Sequence, residues 1–225
     1  MLILAADTSG KNGSLALVRF EAESAHTLEV IPLEGGTFSA QLIPQISALL
    51  LKHNLSKDNI EAFAVVSGPG SFTGLRVGLA AVKALAEILR KPIASVSLLE
   101  VVARAAKMEG RVIAALDAGR GEVYVGIYEC KGHTFSAVAE ELLTLDELRS
   151  RASATYVVTP DQKLAERLKE ENINVTVILQ PGADAVARIG HEKIAKGEVV
   201  SPEDLDATYI RRSDAEIMHS RRIPR

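Results

Sequence analysis

The stretch SGPGSFTGLRVGLA, residues 67–80, sets glycines at 68, 70, 74 and 78 between an apolar run at 62–66 and an apolar pattern at helical spacing. A glycine-rich turn from strand to helix is a place where backbone N–H groups and the helix dipole cradle phosphate. The spacing Gly68-x-Gly70-x-x-x-Gly74 is one residue longer than the dinucleotide fingerprint, and no Gly-Lys-Ser/Thr ending follows, so the stretch is not a P-loop. A structural reading accounts for the same residues. Gly68 and Pro69 lead into a turn, Pro69-Gly70 suits the centre of a type II turn, and Ser71 caps the helix. Gly74 and Gly78 share one face, where their cost in a helix is rational if another backbone packs close by. The other chemistry-bearing residues signal little. Ser67 lacks the Gly-x-Ser-x-Gly elbow of a nucleophile. His26, His53, His133, His191 and His219 show no His-x-x-x-His spacing, and Cys130 is the single cysteine, so no metal site is expected.

The elements that must position these residues belong to a chain of 225 residues, enough for one large domain or two lobes. Apolar residues make up 47% and charged residues 24%, an ordinary globular balance. A net charge of −3 argues against a protein that grips nucleic acid unaided, so a nucleic-acid role is expected to run through a partner. MLILAAD is too short and lacks the basic flank of a signal peptide, and no apolar run approaches a membrane span. The cytoplasm is the expected compartment.

The hydrophobic pattern predicts strands at 2–6, 14–20 and 27–33, a helix after Ser39 as cap, a strand at 62–66, a helix at 72–89, a strand at 93–96 and a helix at 98–108. The order then repeats. Strands at 112–116, 123–128 and 134–140 precede a helix at 145–149, a strand at 156–159, a helix at 161–170, a strand at 175–179 and a helix at 184–195. Each half reads βββαβαβα. ILAADTSGKNGSLALV aligns with VIAALDAGRGEVYVGIY, and Asp7 and Asp117, 110 residues apart, both end a first strand. The expected architecture is α/β, with two mixed sheets flanked by helices: lobes at 1–109 and 110–201, and 202–225 returning to the first lobe.

This duplicated order resembles the actin, sugar-kinase and heat-shock ATPase superfamily. ILAADTS, SGPGSFTGLRVGLA, SVSLLEVVA and LDAGRGEVYVGIY narrow the resemblance to the TsaB (YeaZ) family over nearly the whole chain. The resemblance implies a non-catalytic subunit that works with TsaD and the ATPase TsaE to attach a threonylcarbamoyl group to adenosine beside the anticodon of tRNAs. It implies no cofactor for this chain alone, with ATP or ADP and magnesium at the level of the complex. Members often carry His-Ser before the first helix, where this chain has Phe38-Ser39.

In the superfamily, Asp7, Thr8 and Ser9 fall where phosphate or magnesium is met, and Asp117, Gly119 and Gly121 at the matching point of the second half. As residues alone, both sets are ordinary turn formers. Arg120 and Glu122 crowd a segment that ATPases keep glycine-rich, so these six are expected to be a vestigial nucleotide site. An active ATPase or small-molecule kinase of the same superfamily is the alternative. The helix at 72–89 and the one before it carry more apolar residues than one sheet face needs. Leu42, Ile46, Leu50, Gly74, Leu75, Gly78, Leu79 and Val82 are the expected partner contacts, with Val77, Ala81, Ala84 and Ile88 as a second stripe beside them. TsaD is the expected occupant and a homodimer the substitute. The tail arginines 211, 212, 221, 222 and 225 read either as a solvated end or as phosphate contacts.

Overall fold

Leu2–Asp7 is apolar at every position but its last, and all six residues are buried, so this strand must be covered on both faces. The computed structural model, which describes residues 1–22, 24–132, 134–152 and 155–210, shows what covers it. The first half runs β1 (Leu2–Asp7), β2 (Asn12–Phe20), β3 (Ala25–Glu34), α1 (Phe38–Lys52), β4 (Ala62–Gly68), α2 (Phe72–Leu89), β5 (Ile93–Ser97) and α3 (Leu98–Ala105). The second runs β6 (Gly110–Gly119), β7 (Glu122–Lys131), β8 (Thr134–Thr144), α4 (Leu145–Ala152), β9 (Tyr156–Thr159), α5 (Gln162–Glu170), β10 (Val175–Val177) and α6 (Ala183–Ala195). Both halves are βββαβαβα, and their sheets, β3-β2-β1-β4-β5 and β8-β7-β6-β9-β10, follow the same path. Two antiparallel hairpin strands and two parallel additions build each one. Leu28 is the extra residue of a bulge between β2 and β3, and Val138 that of a bulge between β7 and β8, again 110 residues apart. This is the duplicated actin-like architecture.

The helices do not stay with their own halves. α1 and α2 cover one face of the first sheet, and α4 and α5 cover one face of the second. The other faces are exchanged. α3, from the first half, sets Leu99 and Val102 against Val112, Ala114 and Tyr128 of the second sheet. α6, from the second half, places Ala183, Val186, Ala187 and Ile189 in the core of the first. Gly190 makes the approach of α6 possible, since a Cβ there would lie 2.5 Å from the Cβ of Ala64. Each sheet is therefore built from one half of the chain, while α3 and α6 each reach the sheet of the other half. Val200, Leu205 and Ala207 also pack on the first lobe's core, where Val200 N donates to Ile93 O at 2.9 Å and Thr208 N to Ser67 O at 2.8 Å. Residues 211–225 lie outside the described residues.

Candidate functional site

Asp7, Thr8 and Ser9 turn from β1 toward β2 directly beneath the glycine-rich stretch. Ser71 N donates to Ser9 O at 2.6 Å, and Thr8 Oγ1 donates to Gly74 O at 2.8 Å. A Cβ on Gly70 would lie 2.5 Å from Ser9 O. One on Gly74 would collide with the Thr8 carbonyl oxygen, and one on Gly78 with Thr8 Oγ1, both well inside 3.0 Å. The glycines thus let α2 settle onto the β1–β2 turn, and the loop clasps protein where a phosphate cradle would leave open N–H groups. The Ser71 cap forms, its hydroxyl accepting from Gly74 N at 3.3 Å. The type II turn does not. The positive φ falls at Gly68, +144°, rather than at Gly70, and a Cβ on Gly68 would lie 2.6 Å from Thr208 O; the Gly68–Pro69 peptide is cis.

Asp7, Thr8 and Ser9 are 4%, 1% and 3% exposed. Asp7 Oδ1 accepts from Ser9 N at 2.9 Å and from Ser9 Oγ at 2.5 Å. Burial pushes the Asp7 carboxyl above the ordinary carboxylate range, and the two Ser9 bonds recover part of that shift. A raised folded-state pKa gives stability that is full below the unfolded value and is lost as pH rises through the folded one. Asp7→Asn keeps an acceptor for Ser9 and removes the ionisation. Its melting temperature is expected to gain on the native chain as pH rises from acid to neutral, and thermal melts across that range check it. A native chain that gains on Asp7→Asn instead would contradict the assignment.

Asp117 is not the counterpart of Asp7. Asp7 pairs with Ser14, and when β2 and β7 are aligned by their bulges Ser14 corresponds to Tyr124, whose partner is Leu116. Val112, Ala114 and Leu116 face α3, whereas Ile113 and Ala115 face α4 and α5. Asp117 follows the second set, and its Oδ1 accepts from Arg167 Nη1 of α5 at 3.1 Å. A one-residue shift reverses the face of a strand residue, and the bulge at Ala118 re-aims the turn beyond. Gly119, Arg120 and Gly121 all take positive φ, at 72°, 58° and 83°, with open space around both glycines. They shape an exposed hairpin tip.

The expected partner contacts need a similar correction. Leu42, Ile46, Leu50, Leu75, Leu79 and Val82 are each 6% exposed or less, and Gly74 and Gly78 are buried against Thr8. All eight serve the first lobe's own core. The outward face is the neighbouring one. On α1 it holds Ala40, Ile43, Pro44, Ser47, Ala48 and Leu51, and on α2 Ala80, Ala84 and Ile88, with Val77 and Ala81 half-buried. Ile43, Leu51 and Ile88 are 50%, 77% and 73% exposed. Ser39 lies inside α1, which starts at Phe38 after Thr37. Phe38 is buried against Gly13, where a Cβ would lie 2.9 Å from the ring, so an apolar residue suits that position.

Among the described histidines, His53 meets Glu29 Oε2 at 3.0 Å, His26 meets Ser24 Oγ at 3.1 Å, and His191 stacks on Phe20 with ring centroids 4.1 Å apart. His133 and His219 lie outside the described residues, as do the tail arginines. No three His, Cys, Asp or Glu residues among the described ones gather as metal ligands.

A feature missed in the sequence is the clasp at the start of α2. The Arg76 guanidinium lies 3.5 Å above the Phe72 ring and donates through Nε to Tyr209 Oη at 3.1 Å. Its partner is 133 residues away in sequence, and no local pattern announces it.

Comparison with known proteins gives a consistent set. Residues 30–216 match the family model of TsaD, tRNA N6-adenosine threonylcarbamoyltransferase. The chain is 30% identical to the tRNA threonylcarbamoyladenosine biosynthesis protein TsaB of Escherichia coli and 28% identical to that of Bacillus subtilis, covering 96% of each chain in both cases. A crystal structure described as an uncharacterised protein similar to peptidase YEAZ, from Pseudomonas aeruginosa, matches with a TM-score of 0.76 at 28% identity, over 93% of this chain and 99% of that one. YeaZ from Pseudomonas aeruginosa matches with a TM-score of 0.74 at 26% identity, over 92% and 100%.

Proposed function

We propose, from a chain that belongs to the TsaD threonylcarbamoyltransferase family and to its TsaB (YeaZ) branch, that the protein is a non-catalytic docking and activating subunit in the formation of threonylcarbamoyladenosine in tRNA. A part in that biosynthesis is what the relatives share. The finer reading is that TsaD docks on it, that TsaE joins through the pair, and that tRNA, ATP or ADP and magnesium are held by the assembly.

One observation carries this reading: the outward face shared by α1 and α2. From Ala40 to Leu51 on α1, and from Ala80 to Ile88 along the exposed stripe of α2, it presents apolar and small residues to water. Small residues let a second pair of helices approach closely, and Ile43, Leu51 and Ile88 supply anchors. Burying each would contribute roughly 1.5–3 kcal/mol. The buried turn supports the non-catalytic half of the reading. An actin-like ATPase sets groups from both lobes against one nucleotide, whereas Asp7 lies under the glycine loop and Asp117 turns to Arg167. No helix among the described residues is long and apolar enough to cross a membrane.

Purified chain with ATP and magnesium is expected to release no phosphate above a blank, while its omission from a mixture of TsaD, TsaE, ATP, threonine, bicarbonate and tRNA stops modification. Steady turnover by the chain alone, abolished in Asp7→Asn, would overturn the non-catalytic assignment. Full modification without the chain would overturn the activating role.

A further inference from the structure

The exposed strip of α2 runs Phe72, Arg76, Ala80, Ala84 and Ile88, in steps of four residues, and Arg76 is its one cation. Lys83 is turned aside, donating to Glu203 O at 3.1 Å. Arg76 is held in place from two sides. Its guanidinium carbon lies 3.5 Å over the Phe72 ring, and Nε donates to Tyr209 Oη, while the two rings tilt together at 5.2 Å. The clasp's one printed hydrogen bond engages Nε and neither terminal nitrogen, and no carboxylate among the described residues pairs with Arg76. The helix itself gains nothing from the charge. Arg76 is the fifth residue of α2, near the positive end of its dipole, where a cation is disfavoured.

We propose that Arg76 selects the partner: the protein that docks on α1 and α2 brings a carboxylate to the Arg76 terminal nitrogens. This rests on the docking reading above and goes beyond it. A face that closes over Arg76 without an acid would bury an unpaired charge, which is strongly unfavourable, so the clasp both rewards an acidic partner and rejects an apolar one. With Nε engaged, the remaining N–H groups match the two oxygens of a carboxylate. The setting favours a protein acid over a nucleic-acid phosphate. The strip on both sides is small and apolar, and it offers a polyanion no second cation beside Arg76. Glu87, on the same helix, is the acid that a second copy of this chain would offer.

The test titrates the TsaD protein of the same organism with the native chain, Arg76→Glu, Ala84→Arg and the double variant Arg76→Glu/Glu87→Arg, with melting curves for each. Arg76→Glu is expected to melt as the native chain and lose affinity about 100-fold, with no recovery in the double variant. Should Arg76→Glu melt lower, Arg76→Gln takes its place beside Tyr209→Phe, which removes the hydroxyl acceptor alone; a loss about 30-fold or more in Arg76→Gln is then the supporting result. If Arg76→Glu binds like the native chain while Ala84→Arg does not bind, the proposal falls and docking stands. If Ala84→Arg binds like the native chain, the docking reading falls. If the chain alone self-associates, Arg76→Glu dissociates it and the double variant restores it, the acid is a second copy's Glu87 and the partner assignment is overturned. If Arg76→Glu binds TsaD normally but the pair loses tRNA, the ligand is phosphate and the proposal is equally overturned.

Discussion

Gly74→Ala is expected to destabilise the chain by about 3 kcal/mol or more, the upper end of what overpacking costs. The same change in an open helix would stabilise by roughly 1 kcal/mol. The sign reverses because the new Cβ is aimed at the Thr8 carbonyl oxygen, a backbone atom in a turn that cannot yield. Asp7 is paired to Ser14 on one side of that turn, Ser9 O is bonded to Ser71 N on the other, and Thr8 Oγ1 is bonded to Gly74 O itself. Gly78→Ala meets a different obstacle, the end of the Thr8 side chain. In a Thr8→Ala background its cost should shrink, whereas that of Gly74→Ala should not. Urea unfolding of the single and double variants measures both couplings. A Gly74→Ala chain as stable as the native one would show that α2 does not rest on the β1–β2 turn.

Much of this framework is legible in the sequence. The helix at 72–89 and the strand at 156–159 coincide with α2 and β9, because capping serine, glycine stops and apolar period are local signals. The repeated βββαβαβα order followed from the same signals taken in series. What escaped was every feature decided between distant segments. Nothing local tells α3 and α6 to exchange sheets, since an apolar helix stripe does not say which sheet it meets. The leucine stripe of α2 drew attention as a contact surface, yet Leu75 and Leu79 are the residues a lobe buries first, and the alanines beside them are what it leaves outside. Along the chain Asp117 aligns with Asp7, since both end a first strand. The one-residue offset that turns it toward Arg167 appears only in the strand register. Thr8 and the Gly74–Gly78 face belong to separate sequence motifs, and only their contact in the fold joins them.

Ala84→Arg and Leu79→Ala separate the two faces of α2. Leu79 is 5% exposed, so its truncation is expected to cost about 2–5 kcal/mol of stability through the cavity left behind. Ala84 is exposed, and arginine is a good helix former, so Ala84→Arg is expected to melt within a degree or two of the native chain. Its effect should fall on assembly, where a long charged side chain placed between closely packed helices keeps them apart.

Binding of the TsaD protein to Ala84→Arg, followed by sedimentation and by tRNA modification in the reconstituted mixture, therefore bears most directly on the central claim. A folded variant that neither sediments with TsaD nor supports modification is the predicted result. A folded variant that binds TsaD with native affinity and supports native modification would contradict it.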